Sequence, residues 1–269
     1  MPLFKFEDVE INYVKRGRGE PLVLIQGLGQ KISSWTLQMP YFRRKMMIIA
    51  LDNRGVGDSS RPNYPYTMDM FVDETKGLLD FLDIQDKIHL MGISMGGMIA
   101  QNFALKYPET VKTLILLATS AYLDPDPYLE QTKFIVEKLD LDAGFQKKLD
   151  SMFSKSFIKE LKEDKILFDA LKNKMMLENP TRLQDYINRA AAISGHDTRE
   201  SLHKIMQPTL IMAGTEDQII PFEHSKFLHE KIPNSILKEF PSFGHGSLLV
   251  EDAEKINDLI WNFIEKHLN

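Results

Sequence analysis

Residues 92–97 read GISMGG, and this stretch limits the possible folds more than any other part of the chain. An apolar run, KIHLMGI (87–93), leads directly into it, and a helix-like pattern of small and apolar residues, MGGMIAQNFALKY (95–107), follows at once. Continuous apolar residues indicate a strand that is buried on both faces. Because no loop residues separate strand from helix, we predict that the chain reverses in one tight corner that lifts Ser94 out of the sheet edge.

The same alternation of strand-like and helix-like patterns runs through the first half of the chain. The segments EINYVKRG (10–17) and PLVLIQG (21–27) flank the turn signal RGRGE, which predicts an antiparallel hairpin. Later apolar runs are continuous rather than alternating, as in a mostly parallel sheet with helices on both faces. The sequence therefore predicts an α/β fold.

A change of pattern divides the chain into two predicted units. From residue 121 to 205 strand signals vanish, and the stretch is helical and rich in lysine, methionine and phenylalanine. Strands resume with QPTLIMAG (207–214), and an amphipathic stretch closes the chain. We predict a core domain of residues 1–120 and 206–269 and a helical cap, or lid, inserted at residues 121–205.

Composition excludes several classes of function. The 269 residues contain no cysteine, which rules out disulfides, thiolate metal sites and a cysteine nucleophile. A formal net charge of −5 argues against nucleic acid or an anionic membrane as the main partner. The N-terminus lacks a signal-peptide pattern, and no apolar run has the length of a membrane span. We therefore expect a cytoplasmic protein that acts as a monomer or homodimer.

A serine hydroxyl at such a corner becomes a nucleophile only with help from other groups. It requires a base for its proton, an acid that holds the base, and donors for the oxyanion that forms. Gly92 and Gly96 remove side chains that would clash in the reversal, and the backbone N–H of Met95 starts the helix beside Ser94. The second donor is expected from the glycine-rich loop IQGLGQ, at the N–H of Leu28.

The base and the acid are expected after later strands. Asp217 follows a buried strand in MAGTEDQIIP, and His245 lies between two glycines in FPSFGHGSLLVEDAEKI. Both project from the carboxyl ends of predicted strands, on the rim that carries Ser94. Asp124 and Asp126 compete with Asp217 for the role of the acid.

With a nucleophile elbow followed by an acid and then a histidine, the chain resembles α/β-hydrolases of the serine carboxylesterase and enol-lactonase type over essentially its whole length. The resemblance implies a serine hydrolase that cleaves carboxylic esters of small to medium acyl substrates through an acyl-enzyme. It implies a small ester and water as partners and no cofactor. Alternatives are hydrolysis of an enol lactone or of a carbon–carbon bond in a dienone, and a ligand-binding receptor that keeps the triad. Many relatives carry histidine where this chain has Gln26.

Candidate substrate-binding residues are less defined by the sequence. The candidates adjoin the oxyanion loop or the nucleophile, or lie in the cap: Gln26, Trp35, Met98, Met152 and Met175. Trp35 is equally explained as a packing residue, and for the methionines an ordinary place in a helix core is favoured over a pocket. Three cap arginines are possible anchors for a substrate carboxylate or solvated side chains: Arg182, Arg189 and Arg199.

Two other charged features are expected to be structural. The residues Asp52, Arg54 and Asp58 belong to the polar loop DNRGVGDSS, which we interpret as a hydrogen-bonded loop rather than a binding site. No cluster of histidine, aspartate and glutamate has the spacing of metal ligands, so no metal site is predicted.

Overall fold

The structure is a computed structural model that describes residues 2–123, 141–173 and 182–268. Within these ranges eight strands form one sheet, in the order β1-β2-β4-β3-β5-β6-β7-β8. The strands are β1 (Leu3–Phe6), β2 (Val9–Arg16), β3 (Pro21–Ile25), β4 (Met47–Leu51), β5 (Ile88–Ile93), β6 (Val111–Leu117), β7 (Thr209–Gly214) and β8 (Ser235–Phe240). The pairs β1–β2 and β2–β4 are antiparallel, and all pairs from β4 to β8 are parallel.

Helices precede, follow or connect these strands. Those in the described ranges are α1 (Gln38–Phe42), α2 (Met68–Phe81), α3 (Met95–Lys106), α4 (Leu141–Met152), α5 (Lys155–Glu163), α6 (Lys165–Lys172), α7 (Leu183–Ser194), α8 (Phe222–Lys231), α9 (Ser247–Val250) and α10 (Ala253–Glu265). Among them, none combines the length and apolar character that would let it cross a membrane.

The sheet carries a hydrophobic core on each face. One core packs α2, α3 and α8 against the sheet, and its members include Phe71, Phe103 and Leu228. The other packs α1 and α10 on the opposite face and includes Phe42 and Ile260. Every residue of β3, β5 and β7 is buried, as expected of parallel strands that are covered on both faces. The predicted fold class is confirmed.

The predicted hairpin between the second and third strands is wrong. β2 pairs with β4, and β4 lies between β2 and β3 in the sheet. Although the turn from Arg16 to Glu20 reverses the chain, β3 has parallel neighbours on both sides, β4 and β5. A turn signal specifies a change of direction but not a pairing partner, and the apolar surface of β3 requires a central place in the sheet.

Helices α4 to α7 lie in the long connection between β6 and β7. Within the described part of this connection the one strand-like pairing is an isolated bridge between Tyr122 and Asp197. This bridge brings the two ends of the connection together. We refer to residues 121–205 as the insertion.

Candidate active site

The site is centred on the corner between β5 and α3. β5 ends at Ile93 and α3 begins at Met95, so that Ser94 alone makes the turn. Its φ of 55° and ψ of −123° place a non-glycine residue in a region that costs backbone energy. A hydrogen bond from Thr119 Oγ1 to the carbonyl oxygen of Ser94, at 2.7 Å, helps to hold this conformation.

Three glycines make the corner possible because any side chain would collide there. A Cβ on Gly92 would lie 2.2 Å from the carbonyl oxygen of Gly96, and a Cβ on Gly96 would lie 2.0 Å from that of Ile25. A Cβ on Gly97 would lie 2.6 Å from the side chain of Thr119. The predicted clearance at Gly92 and Gly96 is confirmed.

Asp217 and His245 form a buried pair in the loops that follow β7 and β8. The distance between His245 Nδ1 and Asp217 Oδ2 is 2.7 Å, and both residues are buried. The other carboxylate oxygen, Oδ1, accepts hydrogen bonds from the backbone N–H groups of Ile219 and Ile220, each at 2.8 Å. These bonds orient the carboxylate toward the imidazole, so that Nδ1 carries the proton that Asp217 accepts.

The topology gathers the three predicted groups at one edge. Because β5, β7 and β8 are parallel, their carboxyl ends lie on the same side of the sheet, and Ser94, Asp217 and His245 each follow one of these ends. In the described residues, the bond between Asp217 and His245 is the one hydrogen bond that joins any two of these three side chains. Bonds between catalytic groups often tighten only when substrate binds.

The two predicted oxyanion donors border this corner. Met95 is the first residue of α3, so its N–H has no carbonyl partner four residues earlier within the helix. Leu28 lies in the loop after β3, and a Cβ on the preceding Gly27 would lie 3.1 Å from the Cβ of Ser94. The N–H of Gly27 itself donates to Gln30 Oε1 at 2.9 Å and is already engaged, and the N–H of Leu28 stays the predicted donor of this loop.

The carbonyl oxygen of Gly27 is held from two directions. It accepts a hydrogen bond from Gln30 N at 3.3 Å and one from Arg189 Nη2, on helix α7, at 3.1 Å. Gln26 is fully buried, and its side-chain amide donates to the carbonyl oxygen of Leu51 at the end of β4. Gln26, a predicted substrate-binding residue, therefore holds the loop to the sheet through its side-chain amide.

The loop DNRGVGDSS is structural, as predicted. The carboxylate of Asp52 accepts from Asn12 Nδ2 at 2.7 Å, from Ile32 N at 2.7 Å and from Asp58 N at 3.1 Å. Arg54 is buried and lies 2.5 Å from Glu74, the carboxylate of helix α2. Burial raises the pKa of Glu74 to about 7, because the loss of solvent outweighs the attraction of the Arg54 guanidinium.

The remaining predicted pocket residues lie in different surroundings. Trp35 is completely buried in the core on the face of α1 and α10, and Met98 is buried in the opposite core. Met152 is half-buried at the end of α4, where its carbonyl oxygen accepts from Gly246 N beside His245. Met175 lies outside the described residues, as do the competing acids Asp124 and Asp126.

Some contacts of the site were not indicated by the sequence. No pattern in the sequence singles out Thr119 or Glu251, yet Thr119 bonds to Ser94 and Glu251 bonds to Ser247 beside the loop of His245. Arg189, one of the possible substrate anchors, donates from Nη2 to the carbonyl oxygen of Gly27 and lies 3.9 Å from Met95 Sδ. No local pattern distinguishes these residues, because their partners are distant in the chain. Among the described residues no group of three metal-ligating side chains converges.

Comparison with known proteins places this geometry in context. Residues 20–252 match the family described as the alpha/beta hydrolase fold. The chain is 29% identical over 248 residues to 3-oxoadipate enol-lactonase 2 of Acinetobacter baylyi, an alignment that covers 88% of this chain and 90% of the relative. It is 28% identical to 2-hydroxymuconate semialdehyde hydrolase of Pseudomonas sp. strain CF600, over 95% of this chain and 90% of the relative.

Solved structures show the same architecture. A hydrolase from Pseudomonas aeruginosa superimposes with a TM-score of 0.86 at 25% sequence identity, and the alignment covers 98% of this chain and 97% of that one.

Proposed function

Because the chain belongs to the α/β-hydrolase fold family, we propose that it is a serine hydrolase that cleaves carboxylic ester bonds of small to medium acyl substrates. The observation that carries this proposal is the positive-φ serine at the β5–α3 corner, on the same sheet edge as the buried pair of Asp217 and His245. A lactone is a cyclic ester, so the likeness to an enol-lactonase supports the same bond type.

The proposed reaction proceeds through an acyl-enzyme. Ser94 Oγ attacks the ester carbonyl carbon while His245 Nε2 takes the hydroxyl proton, and the oxyanion accepts hydrogen bonds from the N–H groups of Leu28 and Met95. Collapse of the intermediate breaks the bond to the alcohol, which receives the proton from His245. Water then repeats the sequence, and its attack releases the acid and restores Ser94.

Asp217 serves the histidine in both halves of this reaction. By accepting the Nδ1 proton, it keeps the lone pair of Nε2 directed toward the serine, and its charge stabilises the imidazolium that forms. All of these steps use side chains and backbone groups of this chain, so the proposed mechanism requires no cofactor.

We assign the insertion, residues 121–205, the role of a cap over the site. Two side chains of α7 reach the oxyanion loop: Arg189 bonds to Gly27, and a Cβ on Gly29 would lie 2.4 Å from the hydroxyl of Tyr186. Met152 packs beside the loop that carries His245. A cap that packs on both loops would enclose a small substrate, which supports a small ester rather than a polymer.

A second candidate is hydrolysis of a carbon–carbon bond, which the likeness to 2-hydroxymuconate semialdehyde hydrolase favours. The same serine, histidine and oxyanion donors serve either bond, and the shape of the cleft decides which substrate binds.

The test is the initial rate of hydrolysis of p-nitrophenyl esters from acetate to laurate, for wild type and Ser94→Ala. We expect turnover that peaks at short or medium acyl chains and a loss of about 10⁶ in kcat for the variant. Ser235→Ala, at the opposite edge of the sheet, is the matched control and retains wild-type kcat.

Three results would contradict the proposal. Near-normal turnover in Ser94→Ala would remove the serine from the mechanism. Negligible wild-type turnover on every ester would change the proposed substrate from simple esters to enol lactones or dienones. Wild type and Ser94→Ala would then be assayed on those substrates. Slow binding of a small ligand without turnover would instead favour a receptor.

A further inference from the structure

Glu251 is a buried carboxylate that the proposed chemistry does not use. It lies between α9 and α10 and is 8% exposed. Its Oε1 accepts from Ser247 Oγ at 2.5 Å and from Ser154 N at 3.0 Å, and its Oε2 accepts from Ser154 Oγ at 2.6 Å. No lysine, arginine or histidine of the described residues forms an ion pair with it. Burial of a carboxylate without a cationic partner costs desolvation free energy, which hydrogen bonds offset only in part. Its presence here therefore points to a function for Glu251.

One of its partners leads directly to His245. Ser247 Oγ donates its single proton to Glu251 and accepts a hydrogen bond from Gly244 N at 2.9 Å. The carboxylate thus fixes the direction of the Ser247 hydroxyl, and the hydroxyl fixes the backbone immediately before His245.

The other partner belongs to the insertion. Ser154 lies in the turn between α4 and α5, and Met152, at the start of this turn, accepts from Gly246 N at 2.6 Å. The two segments touch closely, since a Cβ on Gly244 would lie 2.8 Å from the carbonyl oxygen of Met152. The backbone on both sides of His245 is therefore anchored, on one side through Glu251 and on the other by the insertion itself.

We infer that Glu251 is a positioning residue that ties the loop of His245 to the turn 152–154 and so sets the place of the base relative to Ser94. The inference rests on the proposed function of Ser94 and His245. Glu251 accepts both donors of Ser154 and the hydroxyl of Ser247, so one carboxylate holds the turn and the loop together. The place of the base therefore depends on how the turn 152–154 packs against the loop of His245.

The test compares Glu251→Gln with Glu254→Gln, an exposed carboxylate three residues later, as the matched control. Two rates are measured. The first is kcat on the best p-nitrophenyl ester, determined together with KM, and the second is the rate at which a fluorophosphonate inactivates Ser94. The second rate depends on the base but not on the natural substrate. For Glu251→Gln we expect both kcat and the inactivation rate to fall by about 10- to 100-fold, since small displacements of a catalytic group are costly. The KM of Glu251→Gln should stay at the wild-type value. For Glu254→Gln, kcat, KM and the inactivation rate should all stay at wild-type values.

Ser154→Ala provides a second variant that keeps the carboxylate and removes only a hydroxyl of the insertion. It should lower the same two rates in the same direction. Its effect should not add to that of Glu251→Gln in the double variant, because both changes break one contact. If Glu251→Gln does not fold, Ser154→Ala carries the test.

A purely structural role would lower the melting temperature of these variants but leave the rates of the folded protein unchanged, and that result would overturn the inference. A wild type that reacts with the fluorophosphonate but cleaves no ester would contradict only the ester assignment. A wild type that does neither would contradict the proposed function and this inference together.

Discussion

The guanidinium of Arg189 donates a hydrogen bond from Nη2 to the carbonyl oxygen of Gly27 at 3.1 Å, between residues 162 positions apart. Arg189 is fully buried on α7 of the insertion, whereas Gly27 belongs to the loop after β3. The carbonyl of Gly27 and the N–H of Leu28 share one planar trans peptide and point in opposite directions. A donor that fixes the oxygen therefore also fixes the direction of the Leu28 N–H.

The first prediction concerns this contact. Arg189→Met removes the donor but keeps a long apolar side chain, so the peptide gains freedom to rotate and the Leu28 N–H is aimed less well. We expect kcat on p-nitrophenyl esters to fall by about 10- to 100-fold with KM nearly unchanged, somewhat less than the loss of a whole oxyanion donor.

Steady-state kinetics with neutral and carboxylate-bearing esters check this prediction. The exposed Arg199, replaced by methionine, serves as the control from the same insertion. A raised KM confined to carboxylate-bearing esters, with kcat preserved, would instead assign Arg189 to substrate binding.

The second prediction identifies the acid. Asp217→Asn keeps the size of the side chain but removes the charge that faces His245 Nδ1, and it favours the wrong tautomer of the imidazole. We expect kcat to fall by about 10⁴-fold. The competing candidates supply the controls: Asp124→Asn and Asp126→Asn should retain wild-type kcat, and a large loss in either of them would reassign the acid.

The third prediction concerns the stability of the corner. Gly96→Ala places a methyl group 2.0 Å from the carbonyl oxygen of Ile25, and neither backbone can yield without distorting the sheet. We expect the free energy of unfolding in urea to fall by at least about 1–3 kcal/mol. Gly195→Ala is the control, since the nearest atoms lie 3.7 and 3.8 Å away and φ is negative. That control should be neutral or slightly stabilising, and a destabilisation equal to that of Gly96→Ala would argue against steric clash as the cause.

The fourth prediction is a dependence of stability on pH. His196 lies where the insertion returns to the core, with Nε2 donating to the carbonyl oxygen of Ser120 at 3.1 Å and Nδ1 accepting from Asn102 at 3.0 Å. Burial lowers the pKa of His196 to about 4, although the Ser120 carbonyl and Asp197 oppose the shift. Below the ordinary pKa of histidine, the unfolded chain binds a proton at residue 196 that the folded protein does not bind. The free energy of folding that neutral His196 contributes is therefore complete above pH 6.5 and is lost as the pH falls toward 4.

From pH 7.5 to pH 5 this single group should remove about 2 kcal/mol of folding free energy. His196→Gln, whose amide can both donate and accept, should lose less stability over the same interval than wild type. Urea unfolding at the two pH values measures the difference, with the exposed His203→Gln as the control. If wild type and His196→Gln lose the same free energy of unfolding between the two pH values, His196 does not contribute to the pH dependence of stability.

Much of the candidate site could be read from the chain because its signals are local. The corner at Ser94 follows from a buried strand that meets a helix without a loop, and only glycine fits at Gly92 and Gly96. Asp217 and His245 could be proposed because each follows a predicted strand, and parallel strands end at one edge. The partner of β2 could not be predicted, since a turn reverses the chain without specifying which strand lies beside it.

Short-range patterns of polar, apolar and glycine residues thus predict the fold class and the chemical groups at the sheet edge. These patterns act through steric clearance and burial over a few residues. The bonds that orient those groups were decided by folding alone: Arg189 on Gly27, Thr119 on Ser94, and Glu251 between the insertion and the His245 loop. Most of these bonds join residues far apart in the chain, and they depend on how the insertion packs on the core. No local pattern encodes such a contact, because its energy arises only when the two segments are brought together.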